Sequence, residues 1–461
     1  MNPLESPLPA LPVSASLPAL MQALSAHRCA VLQAPPGAGK STLVPLAMLP
    51  EDFVGSRRIL MLEPRRLATR AVAQRMAQLL GEPIGTRVGY RTRLESRISR
   101  ATRIEVITEG ILTRMLQDDP SLDGIACVIF DEFHERSLNA DLGLALTLEC
   151  QEALRPDLKI LVMSATLEAE AIATLLGAAP IIRSEGRSFE VQTHYIPRRN
   201  ELHLELQAAQ LARQALQAHE GDLLCFLPGA AEIRRTQRNL ESMDLGGHVA
   251  ILPLYGELPP AAQDAALARA PQGTRKIVLA TSIAETSLTI EGVRIIVDAG
   301  LRRYAQFDPV TGMSSLTTGR VSQAAADQRR GRAGRLSTGH CYRLWSQSVQ
   351  ASLAAQTAPE ILQAAAIAVR ADATGMPIRF GTVPRSTPGI AAEDVSAVTR
   401  GVAVPAIPVP LVVGVASESF PLPVREMAKA TIETMRIAAT ATTMTTVVRV
   451  WAAGSVWMRR A

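Results

Sequence analysis

The amino-acid sequence predicts an α/β fold of two tandem domains with parallel sheets, followed by an atypical tail. Short apolar runs rich in β-branched residues alternate with segments of helical period, which is typical of βαβ units. The alternation pauses at residues 184–190 and then starts again, so we expect a second α/β domain. Hydrophobic residues make up 47% of the 461 residues and charged residues 20%, which excludes a disordered protein.

The first domain is expected to contain buried strands and intervening helices. Its predicted strands are 29–33, 59–62, 104–108, 126–130 and 159–163. A helix is predicted over 65–80, where Gly81 provides a stop signal, and another over 138–154.

The second domain repeats this alternation. Its predicted strands are 191–195, 222–226, 248–253, 276–280 and 294–298, and its predicted helices are 202–219, 230–240 and 260–270. Alternating runs at 301–307 and 313–317 surround an Asp-Pro…Gly turn, which predicts a β-hairpin.

Net charge, apolar segments and cysteine spacing narrow the class of protein. The net charge of +5 does not by itself indicate a polyanionic partner. The start of the chain lacks the basic and apolar segments of a signal peptide. The uncharged run at 401–417 contains three prolines and is too short for a spanning helix. No CxxC pair occurs among the cysteines, so we expect a cytoplasmic protein without disulfides; the cysteines are Cys29, Cys127, Cys150, Cys225 and Cys341.

Composition changes abruptly near residue 365. Leucine is frequent before that point, whereas residues 366–461 contain only Leu411 and Leu422 and are rich in Val, Thr and Pro. We expect residues 351–461 to be a divergent tail, either translated from a shifted reading frame or a strongly divergent, poorly ordered terminus.

A phosphate-binding loop is predicted between the first strand and the next helix. Its residues are Ala34-Pro-Pro-Gly37-Ala38-Gly39-Lys40-Ser41-Thr42. Glycines let successive N–H groups point at an anion, and the helix N-terminus adds partial positive charge. We expect Lys40 to reach the β- and γ-phosphates of a nucleotide and Ser41 to ligate Mg²⁺. Ala34 stands where the strict pattern has glycine; the alternative is a chance Gly-rich turn.

Two carboxylates follow the strand at 126–130. Asp131 and Glu132 would lie at the carboxyl edge of the sheet, beside the phosphate loop. Asp131 can hold Mg²⁺ through water, and Glu132 can then orient and deprotonate an attacking water. The alternative is a solvated loop or a helix N-terminus.

These motifs and those that follow resemble the DEAH-box superfamily 2 ATP-dependent RNA helicases. Glu132–Arg136 read Glu-Phe-His-Glu-Arg, with Phe133 in place of the family's Ala, and Ser282 stands where the family usually has Asn. Further motifs follow in family order: Leu62-Glu-Pro-Arg65-Arg66, Thr108-Glu109-Gly110, Ser164-Ala165-Thr166, Phe226-Leu-Pro-Gly229, Thr281-Ser-Ile-Ala284-Glu285-Thr286 and Gln328-Arg329-Arg330-Gly331-Arg332-Ala-Gly334-Arg335. Phe133, Arg187-Ser-Phe189 and Cys341-Tyr-Arg-Leu-Trp345 are most similar to the bacterial HrpB-type branch.

The resemblance implies RecA-like (P-loop NTPase) domains and an ATP site between them. Lys40, Asp131 and His134 would then bind ATP with Mg²⁺, alongside Gly37, Ala38, Gly39, Ser41 and Thr42. Arg332 and Arg335 have the spacing of neighbours on one helix face and are candidate arginine fingers, with Gln328 a turn earlier as a water-orienting amide. The alternatives are a solvated or RNA-binding basic helix face for the arginines and a structural role for His134.

RNA contacts and coupling residues are also implied. Phosphates of RNA would lie on residues that follow strands, namely Arg65, Arg66, Thr108, Thr281 and Thr286. Arg66 could equally be a solvated arginine on its helix. Ser164 and Thr166 would relay the nucleotide state, or are ordinary caps. Tyr304 and Phe307 of the hairpin would stack on bases or pack on their own domain.

The sequence therefore predicts an ATP-dependent RNA helicase. We expect an ATP-binding domain over 1–186 and a helicase C-terminal domain over 187–350. Two alternatives stay open: an RNA-binding protein without turnover, and a P-loop kinase, against which the second domain and its arginines argue.

Overall fold

The structure, a computed structural model, describes residues 8–165, 169–185, 189–285, 290–308, 313–335, 337–357 and 360. Within these ranges, residues 305–308 and 313–314 are described by their backbone. The predictions for Thr166, Thr286, Phe307 and the tail beyond residue 360 lie outside what is described. All described residues belong to one compact unit.

Domain one follows the predicted alternation of strands and helices. Its elements are α1 (Leu17–Ala26), β1 (Cys29–Gln33), α2 (Lys40–Met48), β2 (Arg58–Glu63), α3 (Arg66–Leu79), β3 (Val88–Arg91), β4 (Ser96–Arg97), β5 (Ile104–Thr108), α4 (Glu109–Asp118), β6 (Ile125–Phe130), α5 (Leu138–Ala153), β7 (Lys159–Ser164), α6 (Ala169–Leu175) and β8 (Ile181–Arg183). Each predicted strand lies within one residue of an observed one.

Domain two repeats the pattern and adds a hairpin. Its elements are β9 (Val191–Tyr195), α7 (Leu204–Ala218), β10 (Asp222–Phe226), α8 (Ala230–Glu241), β11 (Val249–Leu254), α9 (Pro260–Leu267), β12 (Arg275–Ala280), β13 (Val293–Asp298), β14 (Leu301–Asp308), β15 (Met313–Arg320), α10 (Gln323–Gly331), β16 (Gly339–Arg343) and α11 (Gln347–Ser352).

Each domain is built around one sheet. The order in domain one is β4-β3-β5-β2-β6-β7-β1-β8, parallel except for the antiparallel pair of β3 and β4. In domain two the order is β11-β12-β10-β13-β16-β9, and every pair is parallel. Strands β14 and β15 form the predicted antiparallel hairpin. The predicted α/β fold with two tandem parallel-sheet domains is therefore confirmed.

The strands are nearly continuous apolar runs because helices cover both faces of each sheet. All six residues of β6 and all five of β10 are buried. Leu67 and Ala68 of α3 belong to the same buried cluster as Phe226 of β10, so the start of α3 packs against domain two. No helix among the described residues is both long enough and apolar enough to span a bilayer.

Candidate functional site

The glycine loop connects β1 to α2 with the backbone that a phosphate loop needs. Gly37 and Gly39 have φ of +84° and +91°, in the left-handed region that favours glycine. A Cβ at Gly39 would lie 2.6 Å from Cδ1 of Leu11. Ala34 is buried and does not have a positive φ. Its N–H donates to the carbonyl of Ser164 at 3.0 Å. Alanine at this position therefore causes no left-handed strain.

Lys40 forms a buried ion pair with the two carboxylates that follow β6. Its Nζ lies 2.8 Å from Oε1 of Glu132 and 3.6 Å from Oδ1 of Asp131. Burial alone would lower the pKa of Lys40, but the two carboxylates outweigh it and raise this pKa above its usual range. Burial opposes ionisation of Glu132 too, yet Lys40 and then His134 hold the pKa of Glu132 below its usual range. The ammonium and the Glu132 carboxylate are therefore both charged.

The strand order explains how these residues meet. Strand β7 lies between β1 and β6, so the phosphate loop and the Asp131-Glu132 turn emerge at the same carboxyl edge. Glu132 has a left-handed backbone, with φ of 50° and ψ of 33°, and its N–H donates to Oδ1 of Asp131 at 2.8 Å. For a non-glycine residue this conformation costs about 1–3 kcal/mol, the kind of strain that clusters at functional sites.

Ser41 and Asp131 together fit a magnesium ion. The Ser41 hydroxyl interacts with the Asp131 carboxylate and favours its ionised form, although burial raises the pKa of Asp131 overall. Oδ2 of Asp131 is buried and has no hydrogen-bond partner among the described residues. A hydroxyl and a carboxylate oxygen are hard ligands of the kind that Mg²⁺ prefers. The donor set therefore matches the predicted metal.

His134 joins the turn after β6 to the end of β7. Its Nδ1 accepts the N–H of Ala165 at 3.3 Å, and its Nε2 lies 3.5 Å from Oε2 of Glu132. The ring also lines a cavity of about 90 Å³ between the domains, together with Gln328 and Glu285. His134 and Gln328, which are far apart in sequence, thus face the same space.

Two arginines of domain two reach the phosphate loop and the carboxylates of domain one. The Arg335 side chain lies over Gly37, with its Cδ and Nε 3.6 Å from the place of a Cβ there. Burial lowers the pKa of Arg335 to about 10, and the charge of Glu132 opposes this shift. Arg332 is 5% exposed, donates from Nε to the carbonyl of Glu285 at 2.8 Å, and also senses the charge of Glu132. Helix α10 ends at Gly331, so the two arginines lie in the turn beyond the helix rather than on one helix face.

The predicted nucleic-acid residues are dispersed. Arg65 lies in the domain interface, where it pairs with Glu135 at 3.1 Å, donates to the Ser282 carbonyl, and lies 3.9 Å from Glu285. Arg66 is exposed, and Thr108 is half-buried at the start of α4. The Thr281 hydroxyl accepts the N–H of Ile283 at 3.5 Å.

Tyr304 and Ser164 are two further residues that the sequence singles out. Tyr304 packs across the hairpin, since a Cβ at Gly319 would lie 2.7 Å from its Cε1. Ser164 is fully buried at the end of β7, and its carbonyl accepts from the phosphate loop.

Sequence reasoning missed a buried charge network beside the arginines. Arg329 is 1% exposed and bonds to Oδ1 of Asp298 and Oε1 of Glu285, both at 2.7 Å. Its guanidinium lies 4.9 Å from the ring centroid of Phe226. Nothing in a run of four arginines marks which of them forms buried ion pairs within domain two, so the sequence carried no signal for this role.

Two α/β domains thus place a phosphate loop, paired carboxylates and opposing arginines around one cleft, which defines a two-domain P-loop protein. The family profile described as "DEAD/DEAH box helicase" matches residues 15–175, and the one described as "Helicase conserved C-terminal domain" matches residues 207–337. The chain therefore carries a DEAD/DEAH box helicase domain followed by a helicase C-terminal domain, the two domains of the core of this family.

Within that family the chain is similar to HrpB. It is 51% identical to the ATP-dependent RNA helicase HrpB of Escherichia coli over 353 residues, which are 77% of this chain and 43% of that protein. It is 38% identical to an ATP-dependent RNA helicase HrpA homolog of Haemophilus influenzae, over 78% of this chain and 28% of that protein. The crystal structure of the E. coli DEAH/RHA helicase HrpB superposes with a TM-score of 0.74 at 50% identity, over 78% of this chain and 46% of that one. The predicted resemblance is confirmed, and the chain spans less than half the length of these relatives.

Proposed function

We propose that this chain binds and hydrolyses ATP between its two domains and couples hydrolysis to movement on, or unwinding of, RNA. The relatives HrpB and the HrpA homolog are named ATP-dependent RNA helicases, which supports this activity. The motif Asp131-Glu132-Phe133-His134 supports the DEAH type of this activity. The observation that carries the proposal is the approach of Arg332 and Arg335 to Gly37 and Glu132, because a binding-only protein has no need for cations across the cleft.

The catalytic roles follow from charge. Phosphoryl transfer to water requires a positioned water and cations around the γ-phosphate. Lys40 cannot hold a phosphate while its ammonium is paired with Glu132 at 2.8 Å. The phosphates of ATP would draw Lys40 away, which leaves the Glu132 carboxylate able to accept a proton from the attacking water. Arg332 and Arg335 would then stabilise the charge that develops on the phosphoryl oxygens.

The remaining site residues position these groups. Mg²⁺, when held by Ser41 and Asp131, would neutralise phosphate charge. The N–H groups of 37–42 would cradle the phosphates. Gln328 and His134 line the same cavity, which supports the inference that both orient groups near the cleft.

Nucleic-acid binding is proposed for residues at strand ends. Arg66 and Thr108 are accessible in domain one, and Thr281 and Thr286 supply the corresponding motif of domain two. Arg65 is engaged with Glu135 and Ser282, so we infer that its contribution to RNA binding depends on opening of the interface.

ATP turnover with and without RNA tests the proposal. We expect RNA-stimulated hydrolysis in the parent chain, no ATP binding in Lys40→Ala, and ATP binding without turnover in Glu132→Gln. Arg335→Gln should lower kcat by roughly 10³-fold, the lower limit for an arginine finger. Arg213→Gln, an exposed arginine on α7, is the matched control and should behave like the parent.

The outcomes separate the enzyme from its rival. RNA binding without any ATP turnover in the parent chain would favour a non-hydrolysing RNA-binding protein. Turnover that is equal in Arg335→Gln and Arg213→Gln would remove the role proposed for the cross-domain arginine.

A further inference from the structure

Three histidines of domain two converge on one side of its sheet. His194 lies on edge strand β9, His340 on the neighbouring strand β16, and His219 directly after α7. His194 pairs in register with Tyr342, and His340 precedes Tyr342 by two residues, so both rings project from the same face. One ring nitrogen of each histidine lies within 4.8 Å of one ring nitrogen of the other two.

The ring nitrogens have unused bonding capacity. Nε2 of His194 and Nδ1 of His340 are buried and have no hydrogen-bond partner among the described residues. Nε2 of His219 lies 2.7 Å from the Tyr342 hydroxyl, which fixes the orientation of that ring. A buried polar atom without a partner calls for an explanation such as a bound ion.

Burial and nearby positive charge disfavour protonation of His219 and His340. Burial, the other histidines and Arg294 lower the pKa of His340; burial, His194 and Arg275 lower the pKa of His219. Neutral imidazole is the form that binds a metal, because its lone pair is available. The two arginines also repel a cation, so we expect moderate rather than extreme affinity.

We propose that His194, His219 and His340 form a site for one divalent transition-metal ion, with Zn²⁺ as the best match. Three imidazoles and a water complete the tetrahedral shell that zinc takes, and imidazole suits Zn²⁺ better than the oxygen-preferring Mg²⁺. The rings of His219 and His340 stack at a centroid distance of 3.5 Å, so binding requires them to tilt apart. Metal–nitrogen bonds of about 2.0–2.1 Å would bring the three nitrogens, which now lie within 4.8 Å of one another, closer together.

This site is separate from the nucleotide cleft. All three ligands come from domain two, whereas the oxygen donors Ser41 and Asp131 belong to domain one. Zinc binding can therefore be measured with Mg²⁺ in excess, which occupies the oxygen site first.

Zinc titration of the full chain tests the proposal. The protein is purified without a histidine tag, treated with a chelator, and titrated with Zn²⁺ against a chromophoric competitor. We expect one Zn²⁺ per chain at micromolar or better affinity. The variants His194→Gln, His219→Gln and His340→Gln should each weaken binding by at least about tenfold. His248→Gln changes an exposed histidine of the same domain and should bind like the parent.

A spectroscopic measurement on the parent chain tests the site even if the histidine variants fail to fold. Co²⁺ bound to the parent chain should give the intense visible bands of a tetrahedral nitrogen-rich site, and these bands should disappear when Zn²⁺ is added. Absence of tetrahedral bands, or zinc binding by the three variants that equals that of His248→Gln, would overturn the proposal.

Discussion

Replacing Arg329 tests how far a buried charge network supports domain two. The variant Arg329→Gln removes a guanidinium that is 1% exposed and bonds to Asp298 and Glu285. The carboxylates of Asp298 and Glu285 hold the pKa of Arg329 above its usual range, although burial opposes this. Gln would leave Asp298, which is fully buried, without its cationic partner.

The magnitude follows from this burial. Removing one partner of a buried ion pair destabilises a protein by about 3–5 kcal/mol. For a domain of this size each kcal/mol lowers the unfolding midpoint by about 2–4 °C, so the expected loss is about 6–20 °C. The neighbouring Arg330 is the matched control, because its contact with Asp327 spans 3.7 Å and both side chains are about half exposed. Arg330→Gln should cost no more than about 1 kcal/mol.

Scanning calorimetry of the full chain measures both variants. A midpoint for Arg329→Gln within about 2 °C of that for Arg330→Gln would refute the reasoning, since it would place the network's contribution below 1 kcal/mol. Adding Asp298→Asn to Arg329→Gln should recover part of the loss, because the double variant no longer buries an unpaired carboxylate.

Further predictions concern other buried groups. Burial raises the pKa of Glu109 to about 7 despite its bond from Ser137, so this carboxyl binds a proton more tightly when folded. Stability should therefore fall as pH rises from about 5 to 7, by up to about 1.4 kcal/mol per unit, and urea titrations should show no such slope in Glu109→Gln. Phe133 is buried, and its ring contacts that of Phe130 edge to face with 6.2 Å between the centroids. Phe133→Ala should therefore lower the free energy of unfolding in urea by about 3–5 kcal/mol. The control Leu94→Ala should lower it little, because Leu94 is 75% exposed. All five cysteines are buried and free, and burial raises the pKa of Cys341 to about 12; a thiol reagent should label them only after unfolding, and rapid labelling of the native chain would contradict this.

The strands of both domains could be predicted closely because their signal is local. A buried parallel strand is a continuous apolar run, and β1, β5, β9 and β10 begin and end at the predicted residues. The phosphate loop and the Asp131-Glu132 turn were predictable for the same reason, since each follows such a run.

Elements with weak local patterns could not be predicted. Strand β3 reads Val-Gly-Tyr-Arg and β8 has three residues, so neither shows an apolar run. They exist because neighbouring strands offer them a pairing edge, which is information carried by the tertiary structure. The histidine cluster was missed on similar grounds, since only the tertiary structure brings His219, after α7, next to His194 and His340 on β9 and β16.

The role of Glu285 shows why contacts between the domains are hidden from sequence. Its carboxylate bonds to Arg329 within domain two and lies 3.9 Å from Arg65 of domain one, while its carbonyl accepts from Arg332. One motif residue therefore touches a structural arginine, a candidate arginine finger and an arginine of the opposite domain. Glu135 belongs to domain one, so separation of the domains breaks the contacts of the Arg65 guanidinium with Ser282 and Glu285 and leaves its pair with Glu135 intact. Glu285 therefore links the orientation of Arg332 to the contact between the two domains.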